Sequence, residues 1–373
     1  MSLGSSPRQN AEESTTEEEK DVVMEVRDAN VRFSMSRGQA WVLNDVDLDI
    51  YREEILAVVG ESGSGKSMFA SALLDAVEDP GQLSGDVTYY PQESEQVNTE
   101  EITSFDAASD DSVEILNLSQ NELNAVRWEE IAMVFQGAMS SFNPTMKIEG
   151  HFKETIRAHD AVMSERMQHV RDLFDALHLD YDRVMKAYPH ELSGGMKQRA
   201  LIALALVLEP DVLVMDEPTA ALDLLMQRSI IAMLRELRDA FDLTIVFITH
   251  DLPLVAGLAD RIGVMYSFEF IEIGPTQPLL EDAAHPYTRA LLRSVPSIDS
   301  DIDEMQTIEG SSPDPVNIPT GCSYHPRCPL ADDRCEIEDP ELVQVEGEHE
   351  VACFYYEQSA NEIQYTLHGG VDE

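Results

Sequence analysis

The sequence predicts an α/β protein with an antiparallel β subdomain, a helical subdomain and a small C-terminal extension that contains cysteines. Short apolar segments alternate with helix-forming segments, which favours a parallel sheet. A glycine-rich segment joins one apolar segment to a helix. All four cysteines follow an acidic linker at 299–309. The 373 residues are enough for one large domain with an appendage.

The N-terminal part of the chain predicts a tail followed by an antiparallel sheet. Residues 1–20 are polar and acidic, which is typical of a disordered segment. Apolar and polar residues nearly alternate over 22–33 and again over 42–50, which predicts two strands. Both lead into Ile55–Val59, an apolar run that predicts a buried strand.

A phosphate-binding motif of the form G-x-x-x-x-G-K-[ST] follows that strand, and a helix is predicted over 68–77. Glycines let the backbone turn its N–H groups toward a polyphosphate, and the helix N-terminus adds a positive dipole. The lysine of the motif can reach the outer phosphates, and the final serine hydroxyl can bind Mg²⁺. The alternative is a Gly/Ser-rich turn that binds no phosphate, which the flanking strand and helix disfavour. The candidate nucleotide-binding residues here are Gly60, Glu61, Ser62, Gly63, Ser64, Gly65, Lys66, Ser67 and Met68.

The middle of the chain predicts an insertion, a helical subdomain and further strands. Residues 92–111 are rich in acids and contain no Lys or Arg, which indicates a solvated insertion. Helical spacing over 146–198 predicts the helical subdomain. Residues 212–215 and 244–249 predict buried strands.

Polar residues at the ends of these strands suggest catalysis. Asp216 ends an apolar strand and can hold Mg²⁺, while Glu217 can polarise a water for attack on a γ-phosphate. The alternative for this pair is helix capping. His250 can bond a phosphate oxygen or orient the water, and Gln136 can complete the Mg²⁺ shell; either residue alone would mean little.

A second glycine-rich cradle stands at the start of another predicted helix. Ser193 is a good N-cap, and Gly194 and Gly195 expose N–H groups to an anion. A chain with two phosphate cradles raises the question of what the second one binds.

The order of these motifs resembles the ATP-binding subunit of ABC transporters over about residues 22–290. That resemblance implies a P-loop NTPase (ABC ATPase) fold, with ATP and Mg²⁺ as ligands. It also implies two subunits facing head to tail, so that each Ser193 signature closes on the ATP held by the other subunit. Asp223 matches the loop that couples the two sites. Phe33 stands where the family places an aromatic on adenine, and Trp41 is the weaker candidate.

Three further segments resemble one branch of that family, the oligopeptide/dipeptide importers: residues 139–144, 285–292 and 321–330. Two departures from the family pattern occur, Gly137-Ala138 after the glutamine and a turn at 267–270 without glycine. The branch implies two membrane-spanning permease subunits, a second identical or related ATPase subunit and, indirectly, an extracellular solute-binding protein. The expected location is the cytoplasmic face of the membrane, as a peripheral subunit.

The four cysteines have the spacing C-x₅-C-x₆-C, followed by seventeen residues and the last cysteine. Disulfides are disfavoured in a reducing cytoplasm. A [4Fe–4S] cluster, zinc and unmetallated thiols all stay open, although zinc sites more often use closer cysteine pairs. The resemblance to the peptide importers favours the [4Fe–4S] cluster. Its expected ligands are Cys322, Cys328, Cys335 and Cys353.

Composition limits the remaining function classes. With 25 basic and 71 acidic residues the net charge is −46, which argues against nucleic-acid binding and indicates a high-salt cytoplasm. No apolar run reaches about 18 residues, and the N-terminus lacks a signal-peptide layout. We therefore expect an ATPase domain at 21–296 and the extension at 297–373. The rival interpretations are a soluble ABC ATPase of DNA repair or translation, and a regulatory subunit without catalysis.

Overall fold

The computed structural model describes residues 20–92, 112–137, 141–220, 222–294 and 308–365. These residues form twelve strands and eleven α-helices. The strands are β1 Val22–Met35, β2 Gly38–Tyr51, β3 Ile55–Val59, β4 Gln82–Tyr89, β5 Val113–Glu114, β6 Ile131–Val134, β7 Val212–Asp216, β8 Thr244–Ile248, β9 Arg261–Tyr266, β10 Glu269–Pro275, β11 Val343–Glu346 and β12 His349–Val351. The helices are α1 Lys66–Ala72, α2 Gln120–Val126, α3 Ile148–Ala158, α4 Met163–Ala176, α5 Tyr181–Lys186, α6 Gly194–Ala205, α7 Leu224–Phe241, α8 Leu252–Ala256, α9 Thr276–Glu281, α10 Pro286–Arg293 and α11 Tyr356–Glu362.

Two sheets carry the architecture. The smaller is antiparallel, with strand order β2-β1-β4-β5. The larger has order β11-β12-β10-β9-β3-β8-β7-β6, and its strands from β9 to β6 run parallel. Both the antiparallel subdomain and the parallel α/β sheet that the sequence predicts are therefore confirmed. Parallel strands have both faces covered, which is why β3, β7 and β8 are apolar runs with every residue buried.

Alternate residues of β3 enter two different cores. Ile55, Ala57 and Val59 pack in the core that includes the helical subdomain. Leu56 and Val58 pack in the core beneath the antiparallel sheet. Because side chains alternate along a strand, one five-residue strand joins the two layers and fixes the start of the phosphate loop between them.

The helix after the phosphate loop is shorter than the predicted 68–77. It begins at Lys66 and ends at Ala72. The chain then turns back, because Asp75 adopts a left-handed backbone (φ 47°) and the Ala76 N–H bonds to Ser71 O at 2.8 Å. Helical periodicity continues through this segment in the sequence, but the turn ends the helix.

The C-terminal extension continues the main sheet. β12 pairs antiparallel with β10, and β11 pairs with β12. Glu272 of β10 is fully buried and accepts hydrogen bonds from the N–H groups of Ala284 and His285 and from His349 Nε2. This bonded carboxylate ties the extension to the ATPase domain, since an unpaired buried carboxylate would be costly.

Several sequence-based expectations fall outside the described residues: most of the tail at 1–20, most of the insertion at 92–111, most of the linker at 299–309, and part of the segment at 139–144. The domain boundary expected at 296/297 lies there too and stays a prediction. Within the described ranges, no helix is both long and apolar enough to cross a membrane.

Candidate functional site

The glycines of the phosphate loop occupy positions where a side chain would not fit. A Cβ on Gly60 would stand 2.2 Å from Met265 O, and one on Gly65 would stand 2.8 Å from Val42 O. Both residues also have positive φ angles, 153° and 106°. The loop is therefore wedged between β9 and β2, and its fold depends on these two glycines.

Lys66 and Ser67 lie at the start of α1. The buried ammonium of Lys66 donates to Gly60 O at 2.9 Å and Glu61 O at 2.7 Å, and burial lowers its pKa. Ser67 Oγ donates to Asp216 Oδ1 at 3.0 Å. Burial raises the pKa of Asp216, which the Ser67 hydrogen bond partly opposes. A hydroxyl and a carboxylate side by side form the kind of oxygen donor set that Mg²⁺ takes together with phosphates and water.

Glu217 lies between two other predicted residues. Gln136 Nε2 donates to its Oε2 at 2.8 Å, and His250 Nδ1 is 3.1 Å from its Oε1. Glu217 has a left-handed backbone (φ 45°), and its N–H bonds to Ile248 O at 3.0 Å. This strained turn brings the carboxylate between the ends of β6 and β8.

Within the described residues, no hydrogen bond links the glycine-rich cradle at Ser193 to the phosphate loop. Ser193 accepts a hydrogen bond from Met196 N at 3.3 Å and caps α6, as its sequence predicts. A Cβ on Gly195 would stand 1.7 Å from Met226 Cε, so the methionine side chain packs directly against this glycine. Asp223 caps α7 by accepting from Met226 N at 3.0 Å. Ser193 and Asp223 thus lie on one exposed surface around Met226, beside Leu225, which is 79% exposed.

The two adenine candidates occupy different surroundings. Phe33 of β1 packs against Gly81, where a Cβ would stand 2.7 Å from the ring. The backbone N–H of Trp41 in β2 donates to Pro315 O of the extension at 2.8 Å. The ring of Phe33 is half-buried.

Sequence reasoning missed a second set of contacts on the loop. Arg327 of the extension binds the Glu61 carboxylate, and Tyr287 Oη accepts the Glu61 N–H at 2.8 Å. Both residues belong to segments that the sequence analysis used only to identify a family branch. Nothing in the spacing of Tyr287 and Arg327 along the sequence indicates contact with residue 61.

The four cysteines are free and line one small cavity, together with His285 and Tyr324. Burial, with smaller effects from the neighbouring thiols, raises the pKa of Cys322 and of Cys353 to about 12. Within the ranges that the structure describes, no group of three or more His, Cys, Asp or Glu side chains is arranged to hold a metal ion.

Comparisons with known proteins agree with this geometry. A family model described as ABC transporter matches residues 43–220, and one described as oligopeptide/dipeptide transporter, C-terminal region, matches residues 271–335. The dipeptide transport ATP-binding protein DppD of Caldanaerobacter subterraneus subsp. tengcongensis is 37% identical over 340 residues, which cover 90% of this chain and 98% of that protein. The oligopeptide transport ATP-binding protein OppD of Salmonella typhimurium is 38% identical over 322 residues, with 86% and 90% covered.

A solved structure supports the fold. The dimeric ABC transporter cassette MJ0796 aligns with a TM-score of 0.55 at 23% identity, over 68% of this chain and 99% of that one. The relatives match nearly the full length of this chain, from the strand before the phosphate loop to the cysteine-containing extension. The chain therefore belongs to the family of oligopeptide/dipeptide ABC transporter ATP-binding proteins.

Proposed function

We propose that this chain is the ATP-hydrolysing subunit that powers an ABC importer of oligopeptides, dipeptides or related solutes. The observation that carries the proposal is the Glu217 carboxylate, held between Gln136 and His250 next to the phosphate loop. A carboxylate in that place can accept a proton from a water that attacks the γ-phosphate.

The residues divide the work among them. Lys66 leaves the loop carbonyls to bind the outer phosphates, and the loop N–H groups bind the rest of the polyphosphate. Ser67 and Asp216 would hold Mg²⁺, which would supply positive charge next to the phosphates. Gln136, which bonds to Glu217 in this structure, would complete the Mg²⁺ shell. His250 orients Glu217 and its water, and Phe33 takes the adenine.

The second cradle supports a dimer. The surface that closes is formed by the exposed residues Ser193, Gly194 and Asp223. The largely exposed side chain of Leu225 lies on the same surface. We propose that this surface closes on the ATP of a second ATPase subunit, identical or related. The other partners are two permease subunits at the cytoplasmic face of the membrane and, through them, a solute-binding protein. The soluble DNA-repair or translation role is not favoured by the relatives' names.

Replacing the base tests the function directly. Glu217→Gln keeps the shape of the side chain but removes its proton-accepting charge, so we expect ATP turnover to fall by at least about a hundredfold. ATP binding should persist, and the closed dimer should accumulate, as measured by size-exclusion chromatography with Mg²⁺ and ATP. Glu236→Gln, an exposed change on α7, is the matched control. Turnover at the parental rate in Glu217→Gln would show that Glu217 is not the base.

We further propose that Cys322, Cys328, Cys335 and Cys353 hold a [4Fe–4S] cluster with a structural role. The support is chemical: all four thiols of the chain line one cavity, and a set of four sulfurs suits iron–sulfur or zinc chemistry. Anaerobic preparations should absorb near about 400 nm and contain about four iron atoms per chain. Replacing all four cysteines by serine is the control; a parent protein without iron or that absorbance would refute the cluster.

The acidic composition supports one more proposal, that the protein works in a high-salt cytoplasm. A net charge of −46 creates self-repulsion that concentrated salt screens.

A further inference from the structure

Arg327 of the C-terminal extension contacts the phosphate loop through a two-pronged ion pair. Its Nη1 donates to Glu61 Oε2 at 2.8 Å, and its Nη2 donates to Glu61 Oε1 at 3.2 Å. The Arg327 side chain is 7% exposed and that of Glu61 is 25% exposed. Paired donors and acceptors in such a sheltered place fix orientation as well as adding energy, which separates this pair from an ordinary surface salt bridge.

The extension holds the guanidinium firmly on its other sides. Arg327 Nε donates to Glu309 O at 2.8 Å, and the guanidinium lies 5.7 Å from the centre of the Tyr266 ring and 5.9 Å from that of Tyr324. Arg327 also ends a short 3₁₀ turn that immediately precedes Cys328. The extension therefore fixes the position of Arg327, and the phosphate loop contacts an immobilised side chain.

All three polar groups of Glu61 are engaged. Its N–H donates to Tyr287 Oη at 2.8 Å, its C=O accepts from Lys66 Nζ at 2.7 Å, and its carboxylate binds Arg327. When Lys66 turns to a phosphate, the contact with the C=O is lost. The Ser64 N–H still bonds to that C=O at 3.2 Å, and Tyr287 and Arg327, which lie outside the phosphate-binding motif, still hold the Glu61 N–H and carboxylate.

We propose that Arg327 is a positioning residue that holds the phosphate loop in its nucleotide-binding conformation, so that docking of the extension and binding of ATP are coupled. The proposal rests on the proposed function of Gly60–Ser67 as the ATP site. Coupling of this kind is reciprocal, so bound ATP must also stabilise the docked extension.

The test compares Arg327→Met with the parent protein and with Asp314→Asn. The methionine keeps an apolar stem but loses the ion pair, and we expect the Kd for Mg-ATP to rise about tenfold. The kcat at saturating ATP should stay within about twofold, because Arg327 does not touch the reacting groups. Asp314 pairs with Arg37, another contact between extension and core that does not include Glu61, so Asp314→Asn should leave the Kd unchanged. Arg327→Lys keeps the charge without the fork and should give an intermediate Kd.

Two further measurements separate positioning from general loosening. Glu61→Gln breaks the ion pair from the loop side and should weaken ATP binding in the same way, even if Arg327→Met fails to fold. Hydrogen exchange over 308–328 should slow when Mg-ATP binds to the parent but not to either variant. Equal Kd values in parent, Glu61→Gln and Arg327→Met would overturn the positioning role. If instead Lys66→Ala bound ATP as tightly as the parent, the proposed ATP site itself would fail.

Discussion

At the scale of single residues, the hydroxyl of Tyr89 brings two carboxyl groups together. Tyr89 Oη lies 2.9 Å from Glu130 Oε2 and 2.7 Å from Asp211 Oδ2. A tyrosine hydroxyl has one hydrogen, so it cannot donate fully to two carboxylates at once, and a proton on one of the acids relieves that shortage. Arg52 Nη1 lies 3.3 Å from Asp211 Oδ2. Burial, with Asp211 and Glu129 adding to it, raises the pKa of Glu130 to about 7.

This arrangement predicts a pH-dependent stability. Between the ordinary pKa of glutamate and about 7, the unfolded chain has lost the proton that folded Glu130 retains. The free energy of unfolding therefore falls as pH rises through that window, by up to about 3 kcal/mol at about 1.4 kcal/mol per pH unit. Glu130→Gln, which cannot ionise, should lose this slope in urea unfolding series at fixed salt.

The control is Asp175→Asn, an exposed change on α4 with the same effect on net charge. It should keep the slope of the parent, because it leaves Glu130 and its partners unchanged. Parallel pH profiles for Glu130→Gln and the parent would show that Glu130 does not hold the proton.

At the scale of elements, the sequence predicted what local patterns control. The strands β1, β2, β3, β7 and β8 were predicted because alternation or apolar runs reflect burial. The loop residues Gly60 and Gly65 were predicted because their motif encodes a backbone path. The contacts among Gln136, Glu217 and His250 could be expected only as neighbours at one edge of a parallel sheet, and the structure brings them together.

The turn between β9 and β10 shows why other features escaped prediction. Ser267 and Phe268 both have positive φ, 50° and 77°, in a two-residue hairpin that usually takes glycine or asparagine. Tertiary contacts hold it: the Phe268 N–H bonds to Ser64 O, and its C=O accepts the Asn44 N–H, both at 3.0 Å. The turn that departs from the family pattern by lacking glycine therefore packs against the phosphate loop. Contacts between residues this far apart in the sequence, like that of Arg327 with Glu61, cannot be predicted from a local sequence pattern.

At the scale of the whole molecule, three acidic side chains meet where the extension docks. Glu269 of β10 lies near Asp339 of the extension and Asp45 of β2, beside a cleft of about 930 Å³. Burial, with Asp339 and Asp45 adding to it, raises the pKa of Glu269 to about 8, although the Ser323 hydroxyl donates to it at 2.6 Å. Because Glu269 keeps its proton at neutral pH, the charge repulsion at this docking seam is mainly that between Asp339 and Asp45, which adds to burial in raising the pKa of Asp339.

This seam predicts a specific dependence on salt. Raising KCl from about 0.1 M to about 2 M shortens the screening length from about 10 Å to a few ångströms, so the Tm of the parent should rise steeply. Asp339→Asn removes one charge at the seam and should raise the Tm at low salt, whereas Asp175→Asn, with the same change in net charge, should raise it less. At high salt the Tm values of the two variants should approach that of the parent, because salt then screens the repulsion that the substitution removes. Calorimetric scans across the KCl series measure all three proteins. Equal Tm values for the two variants at low salt would place the repulsion on the general surface and not at the docking seam.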